Sequence, residues 1–194
     1  MKFVSGKRIE IGRELSDLDI FALDFIRILG RHTEYTVVSG YVSILLGRAR
    51  TSEDIDIIIP KMDFQIFRAL LRDIARGGFY CLNAEEDEDI FDQIKSKTAV
   101  RFAKLEKVIP NIELKFAKNK FDEMGLKNKI TIKLESGEIA ISPLEMQIAF
   151  KEEILRSPKD IEDARHIRNV ASAHLDKKMI GKYKVMLHGF YGRK

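Results

Sequence analysis

The chain has 194 residues, a length that suits one compact domain with a buried core. Its composition, 45% hydrophobic and 33% charged residues, excludes a disordered or collagen-like protein. Its single cysteine, Cys81, excludes an intramolecular disulfide and a cysteine-rich zinc site, and fits a reducing compartment. No apolar run reaches the roughly 18 residues of a membrane helix, and the charged N-terminus lacks the pattern of a signal peptide. We therefore expect a cytoplasmic protein with no membrane partner.

The first half of the chain predicts alternating strands and helices. Ser16 and Asp19 resemble an N-cap with its N3 acid, and apolar residues at helical spacing follow them. The short strand YTVVS then leads through a turn at Ser39 and Gly40 into the helix YVSILLG, and a loop over residues 48–52 precedes the buried strand DIDIII. The amphipathic stretch MDFQIFRALLRDIA predicts a helix that covers the sheet.

The second half predicts strands followed by helices. The acidic run EEDEDIFD is predicted as a loop or a solvated helix start, TAVRFAKL and NIELKFA as strands, and KITIKLESGEIAIS as a hairpin. Two helices follow, PLEMQIAFKEEILR and PKDIEDARHIRNVASAHL, with Pro143 and Pro158 at their first helical positions. The fold class is α/β (α+β), with a mixed sheet flanked by helices in residues 1–142 and a helical region packed on it in residues 143–194.

Two aspartates stand out on the strand DIDIII. Asp54 and Asp56 share one face, because side chains two residues apart on a strand point the same way. Unless that face is a solvated strand edge, the paired charges require cations, and hard carboxylate oxygens suit Mg²⁺ shared with substrate phosphates. Glu113 in NIELKF is either a third carboxylate beside them or an exposed edge acid. The turn at Ser39 and Gly40 opens a helix, where backbone N–H groups can receive phosphate.

The string SGYVSILLGRARTSEDIDIII resembles the nucleotidyltransferase superfamily, and within it the AbiEii-like and related minimal nucleotidyltransferases. Those proteins have a Gly-Gly or Gly-Ser turn before an Arg-x-Thr/Ser-x-x-Asp-x-Asp loop and strand. The resemblance implies that Gly40 is the second turn residue and that Arg50 is the loop arginine, both at a nucleotide-binding site. Ser39 stands where the family usually has glycine, and its hydroxyl is expected to contact a phosphate.

The same resemblance implies the metal ligands and the cofactor. Asp54 and Asp56 match the catalytic metal-binding pair, and Glu113 matches the later acid of the family. The implied cofactor is Mg²⁺ or Mn²⁺, and residues 1–142 would then form a nucleotidyltransferase-type catalytic domain.

A second match lies in SPLEMQIAFKEEILRSPKDIEDARHI, which resembles a family segment with a helical lysine before Lys-Asp-x-x-Asp. Lys151 matches that lysine, and the resemblance implies that it contacts nucleotide phosphates during catalysis. Asp160, matched as a nucleotide-site residue, and Asp163 lie three apart on one helical face, where they can form ion pairs with Lys151 or Lys159. Without the resemblance the same pattern also fits a salt-bridged surface helix.

The C-terminal segment KKMIGKYKVMLHGFYGRK is basic and contains no acid. Aromatic residues alternate with the lysines, at Tyr183, Phe190 and Tyr191. Such a tail can bind a phosphate backbone and stack bases, which favours an RNA or tRNA partner, or it can be a solvated and partly frayed terminus.

The function that the resemblance implies is metal-dependent transfer of NMP from an NTP to an acceptor hydroxyl. The acceptor can be RNA or tRNA, a protein or a small molecule, and AbiEii-like proteins often act as toxins beside an antitoxin protein. Two alternatives stay open: a non-catalytic nucleotide-binding protein of the same fold, and a metal-dependent phosphohydrolase.

Overall fold

The structure, a computed structural model, describes residues 1–192 of the chain. Within these residues one mixed sheet of nine strands is flanked by helices, which confirms the predicted fold class. The strands are β1 (Lys2–Ser5), β2 (Arg8–Glu10), β3 (Thr36–Val38), β4 (Asp54–Ile59), β5 (Phe79–Cys81), β6 (Val100–Lys104), β7 (Asn111–Phe116), β8 (Ile130–Leu134) and β9 (Gly137–Ile141). The helices are α1 (Asp17–Leu29), α2 (Gly40–Leu45), α3 (Phe64–Arg76), α4 (Asp87–Lys95), α5 (Lys120–Lys127), α6 (Leu144–Phe150), α7 (Pro158–Val170) and α8 (Lys177–Tyr191).

The strand that carries both aspartates lies inside the sheet, whose spatial order is β1-β2-β8-β9-β3-β4-β7-β6-β5. β4 is antiparallel to β3 and parallel to β7, and β7 is antiparallel to β6. In this register Asp56 is paired with Val38 on one side and with Glu113 on the other, and Glu113 is paired with Arg101. The sheet therefore brings the third acid to the second aspartate across one strand spacing.

The two faces of the central strands differ in character. Ile55 and Ile57 of β4 are completely buried and join Phe25 of α1, Phe67 of α3 and Ile90 of α4 in the main core. The opposite face carries Asp54, Asp56, Glu113 and neighbouring side chains of β3 and β7, and we call it the polar face. Alternation along each strand produces this division, because successive side chains point to opposite sides.

Helix ends follow the signals in the sequence, with one correction. The Ser16 hydroxyl accepts from the Asp19 N–H at 3.2 Å while the Asp19 carboxylate accepts from the Ser16 N–H at 2.8 Å, which completes the predicted capping box at α1. Pro158 is the first residue of α7, as predicted, and follows the cap Ser157. Pro143 is itself the N-cap of α6 rather than its first helical residue. A β-region backbone at Pro143, with ψ of 139°, explains the difference.

The predicted helix PLEMQIAFKEEILR is not uniform. Its α-helical part ends at Phe150, and a π-helical turn, Lys151–Leu155, continues it. Arg156 then ends the segment with a left-handed φ of 55°. The following helix, α7, ends at Val170, five residues before Leu175, the end that the sequence predicted. Single π-helical turns are rare and often lie at functional sites, and this one begins at Lys151.

The basic C-terminal segment is the helix α8 rather than a frayed tail. Tyr183 and Leu187 are buried against α6, so Tyr183 is not available to stack a base. Lys184 forms ion pairs with carboxylates of the π-helical turn. Arg193 and Lys194, which were predicted to belong to the basic tail, lie outside the described residues.

Several elements have weak sequence signals. The hairpin β1–β2, the short strand β5 and the helix α5 were not predicted, and the acidic run proves to be the helix α4. Three-residue and four-residue strands hold too few positions for a period of two to be recognised.

Of the helices in residues 1–192, none has both the length and the apolar character that crossing a bilayer requires.

Candidate active site

Three carboxylates of the polar face lie on adjacent strands. Asp54 and Asp56 point to this face from β4, and Glu113 faces Asp56 from β7. Their side chains are only partly buried, with 15% of the Asp56 side chain and 12% of the Glu113 side chain exposed. The predicted juxtaposition of the three acids is therefore present in the fold.

Glu113 is bound through both of its oxygens. Oε1 accepts from Nε and Nη2 of Arg101 at 2.9 and 2.6 Å, and Oε2 lies 2.9 Å from Nζ of Lys115. Burial alone would raise the pKa of Glu113, but these bonds outweigh it and lower the pKa below its usual value. Glu113 is consequently ionised at neutral pH and already paired with cations.

Lys115 lies between two of the acids. Its ammonium donates a short hydrogen bond to Oδ1 of Asp56 while it pairs with Glu113. Burial disfavours the ammonium, yet the two carboxylates prevail and raise the pKa of Lys115. Burial, in contrast, dominates at Asp56 and raises the pKa of that carboxyl group in spite of the lysine.

The oxygens that are left suit one hard cation. Ser52 donates to Oδ1 of Asp54 at 3.1 Å, and Lys115 occupies Oδ1 of Asp56. In the part of the chain that the structure describes, the Oδ2 atoms of Asp54 and Asp56 accept no hydrogen bond. Among the same residues, no group of three acids, histidines or cysteines is arranged around one metal position. The pair Asp54 and Asp56 therefore fits Mg²⁺ or Mn²⁺, whereas Glu113 is bound to Arg101 and Lys115 instead.

The turn before α2 has a strained backbone. Ser39 has φ of 66° and ψ of −138°, a conformation that glycine adopts far more easily than serine. Gly40 follows, and a Cβ added to it would lie 2.9 Å from Nη1 of Arg50. The guanidinium of Arg50 thus packs directly on the backbone of the turn, and a side chain at Gly40 would displace it.

A fully buried carboxylate ties Arg50 to the C-terminal helices. Asp163 of α7 accepts from Nη1 of Arg50 and from Nζ of Lys151 at 2.8 Å each, and forms a short bond with Arg48. Arg48 also binds Glu162 at 2.5 Å. Three cations from two separate segments therefore share one carboxylate that is 0% exposed.

Lys151 is the most deeply buried lysine of the site and is 0% exposed. Besides Asp163 it contacts Oδ1 of Asp160 at 3.4 Å, which is one of the ion pairs expected from the sequence. Burial lowers its pKa to about 8, since neighbouring Arg48 and Arg50 oppose a further positive charge and Asp160 only partly compensates.

A cleft of about 280 Å³ adjoins the polar face. One wall carries Asp56, Lys115, Ser39 and Lys151, and the other is apolar. The apolar wall is formed by residues of α5, α6, the π-helical turn and α8, namely Phe121, Met146, Phe150, Leu155 and Tyr191. Phe121 and Tyr191 are stacked, with 6.3 Å between ring centroids. The cleft therefore combines charge at one end with an aromatic surface at the other.

Thr36 supplies an unpaired polar atom to the cleft. Its side chain is 0% exposed, and among the described residues its Oγ1 has no hydrogen-bond partner. Thr36 lines the cleft beside the buried pair Gln147 and Ser142, whose side chains hydrogen-bond at 2.6 Å. Buried hydroxyls normally have partners, and within residues 1–192 the Thr36 hydroxyl is left free for a ligand in the cleft.

Three charged residues of the site, Lys115, Arg101 and Arg48, were not singled out as functional from the sequence. Lys115 shares a face with Glu113 because the two are two residues apart on β7, so its position was readable from strand alternation. Arg101, Arg48 and the central position of Asp163 depend on strand pairing and on the packing of α7, which no local pattern specifies.

Comparison with known proteins shows the fold. No family model and no curated protein matches the chain. Among solved structures it is similar to an antigenic nucleotidyltransferase-like protein from Paracoccidioides brasiliensis, at 14% identity and a TM-score of 0.54 over 90% of this chain and 89% of that one. It is also similar to the antibiotic-resistance factor ANT(2'')-Ia, at 10% identity and a TM-score of 0.52 over 90% of this chain and 92% of that one. The chain therefore has a nucleotidyltransferase-like fold.

Proposed function

We propose that this protein is a metal-dependent nucleotidyltransferase that transfers NMP from an NTP to an acceptor hydroxyl. The observation that carries the proposal is the placement of Asp56, with Asp54 beside it on the same face of β4, on the wall of a cleft that Lys151 and Ser39 also line. Carboxylates for a divalent ion, groups for phosphates and an aromatic wall for a base thus lie in one continuous site. The nucleotidyltransferase-like fold supports the same activity.

Different residues of the site would bind different parts of the nucleotide. Asp54 and Asp56 would hold Mg²⁺ or Mn²⁺, which when bound offsets phosphate charge and lowers the pKa of the attacking hydroxyl. Lys151 lines the same wall of the cleft, where its ammonium would offset charge on the departing pyrophosphate, and the Ser39 hydroxyl would donate to a phosphate oxygen. The partly exposed rings of Phe150 and Tyr191 on the apolar wall stack the base.

In the reaction the acceptor oxygen forms a bond to the α-phosphorus while the bond to the pyrophosphate oxygen breaks. The hydroxyl proton passes to a carboxylate of the polar face. Arg50 and Asp160 act at a distance from the reacting atoms: Arg50 supports the Gly40 turn, and Asp160 helps to fix the Lys151 ammonium. Proximity in a pre-formed cleft is the main contribution that the protein makes to such a displacement.

The acceptor and the subfamily belong to the same proposal. The AbiEii-like motif around Arg50 and Asp54 favours a role as the toxin of a toxin-antitoxin pair, in which an antitoxin protein is a further partner. An RNA or tRNA acceptor is supported by the exposed lysines of α8, Lys177, Lys178 and Lys182. A protein or a small molecule remains an alternative acceptor.

The non-catalytic alternative also has a specific observation in its favour. Lys115 and Arg101 already pair with the acids of the polar face, as expected if the site binds nucleotide without turning it over. That alternative predicts nucleotide binding without pyrophosphate release.

The test is transfer of label from each α-³²P NTP, with and without total tRNA, together with detection of pyrophosphate. Asp54→Asn and Asp56→Asn should abolish transfer, and the exposed Asp92→Asn should retain it. Equal transfer by wild type and the two site variants would refute the proposal, and binding without any transfer by wild type would establish the non-catalytic alternative. Inorganic phosphate in place of pyrophosphate would indicate a phosphohydrolase.

A further inference from the structure

The charge balance of the polar face is unusual for a site built around three acids. Arg101 and Lys115 are both on this face, and their formal charges offset two of the three carboxylates. One negative charge remains, and a single divalent ion exceeds it by one unit. Two divalent ions would leave this partly buried face with three excess positive charges before any nucleotide arrives.

The volume between Asp56 and Glu113 is also occupied. An ion that bridged these two acids would lie roughly 2.1 Å from an oxygen of each. Nζ of Lys115 is in direct contact with Oδ1 of Asp56 and 2.9 Å from Oε2 of Glu113, so the ammonium occupies that position. Glu113 has no second oxygen to offer, because Oε1 is bound by Nε and Nη2 of Arg101.

We propose that Lys115 takes the place of one of the two divalent ions, so that the site binds a single ion at Asp54 and Asp56. Glu113 is then a positioning residue, which together with Asp56 directs the Lys115 ammonium towards the reacting phosphate. The lysine supplies a fixed positive charge on the cleft wall, at the point where charge builds up on the oxygens of the α-phosphate. This inference rests on the proposed function only for the role of that charge, and the ion count can be measured without catalysis.

The state of Lys115 agrees with such a role. Its ammonium pairs with the carboxylates of both Asp56 and Glu113, which fix its position on the face. The side chain is 25% exposed, and the residue lines the cleft, so that a bound phosphate can reach it.

The experiment counts Mn²⁺ ions per chain by equilibrium dialysis, with and without a radiolabelled NTP analogue that has a methylene bridge between the α- and β-phosphates. Wild type should bind one ion per chain, and Asp54→Asn should bind none. Lys115→Met should bind two, because Oδ1 of Asp56 and Oε2 of Glu113 then lose the ammonium that lies between them. Lys115→Arg should stay at one, and the matched control Lys133→Met, on the exposed side of β8, should also stay at one.

Glu113→Gln keeps the inference testable if Lys115→Met fails to fold. In a site where Glu113 binds a second ion, this substitution lowers the count from two to one; here the count stays at one. A count of two in wild type, or a count of one in folded Lys115→Met, would overturn the inference. If the analogue does not bind but the counts in its absence behave as described, the nucleotidyltransferase proposal fails and the inference about Lys115 stands.

Discussion

The substitution Asp163→Asn tests how far the buried carboxylate of α7 supports the site. It preserves the shape of the side chain but removes the charge that Arg48, Arg50 and Lys151 share. Removing one partner of a buried charge cluster costs about 3–5 kcal/mol, because the remaining charges stay buried without compensation. For a domain of this size 1 kcal/mol corresponds to roughly 2–4 °C, so the Tm should fall by roughly 6–20 °C.

Urea and thermal unfolding followed by circular dichroism measure this loss. The matched control is Glu162→Gln, which removes a charge bound to the same Arg48 from a side chain that is 60% exposed and should cost less than about 1 kcal/mol. Adding Lys151→Met to Asp163→Asn should cost less than the two single losses together, since one uncompensated cation disappears with its partner. If Asp163→Asn is no less stable than Glu162→Gln, the carboxylate is not the electrostatic centre that the geometry indicates.

Three further predictions concern residues that the proposed function assigns to nucleotide binding. Burial lowers the pKa of Lys151 to about 8, so its positive charge is present below that pH and lost above it. The Kd of an NTP analogue should therefore rise above about pH 8, and Lys151→Arg should remove this pH dependence. Ser39→Gly relieves a positive φ and should raise the free energy of unfolding by about 1 kcal/mol in urea titrations, whereas an unchanged value would show that the turn is unstrained. Gly40→Ala should weaken binding of the NTP analogue in calorimetry, because the added Cβ would contact Arg50. The control Gly12→Ala has open space around its Cβ and should bind the analogue as wild type does. Equal affinities of the two variants would contradict a role for the turn.

Strand alternation and helix caps made the central part of the site predictable. The placement of Asp54 and Asp56 on one face of β4 follows from their spacing alone. The capping box at Ser16 and the proline that begins α7 are also local signals, and the structure confirms both. The proximity of Glu113 to Asp56 was expected from the family resemblance, and it arises physically from the parallel pairing of β4 with β7.

The electrostatic surroundings of the acids could not be predicted in the same way. Arg101 reaches Glu113 only because β6 and β7 pair in one particular register. The basic segment at the C-terminus had a polar composition that suggested a tail, but Ile180 and Leu187 recur at helical spacing and are buried as α8 packs on α6. Tertiary packing therefore decided which aromatic residues could meet a nucleic acid, a property that composition does not specify.

The site also bears on the predicted division of the chain at residues 142 and 143. Asp163 comes from the helical region, yet its carboxylate accepts from Arg50 in the loop that leads into β4, and Lys151 donates to the same carboxylate. The apolar wall of the cleft is likewise completed from beyond residue 142, by Phe150 and Tyr191. A sheet without these helices would expose an unpaired Arg50 and an open polar face, and would have no aromatic surface on which to place a base. The helical region is thus one half of the site, and its packing on the sheet is a precondition for the nucleotide binding that we propose.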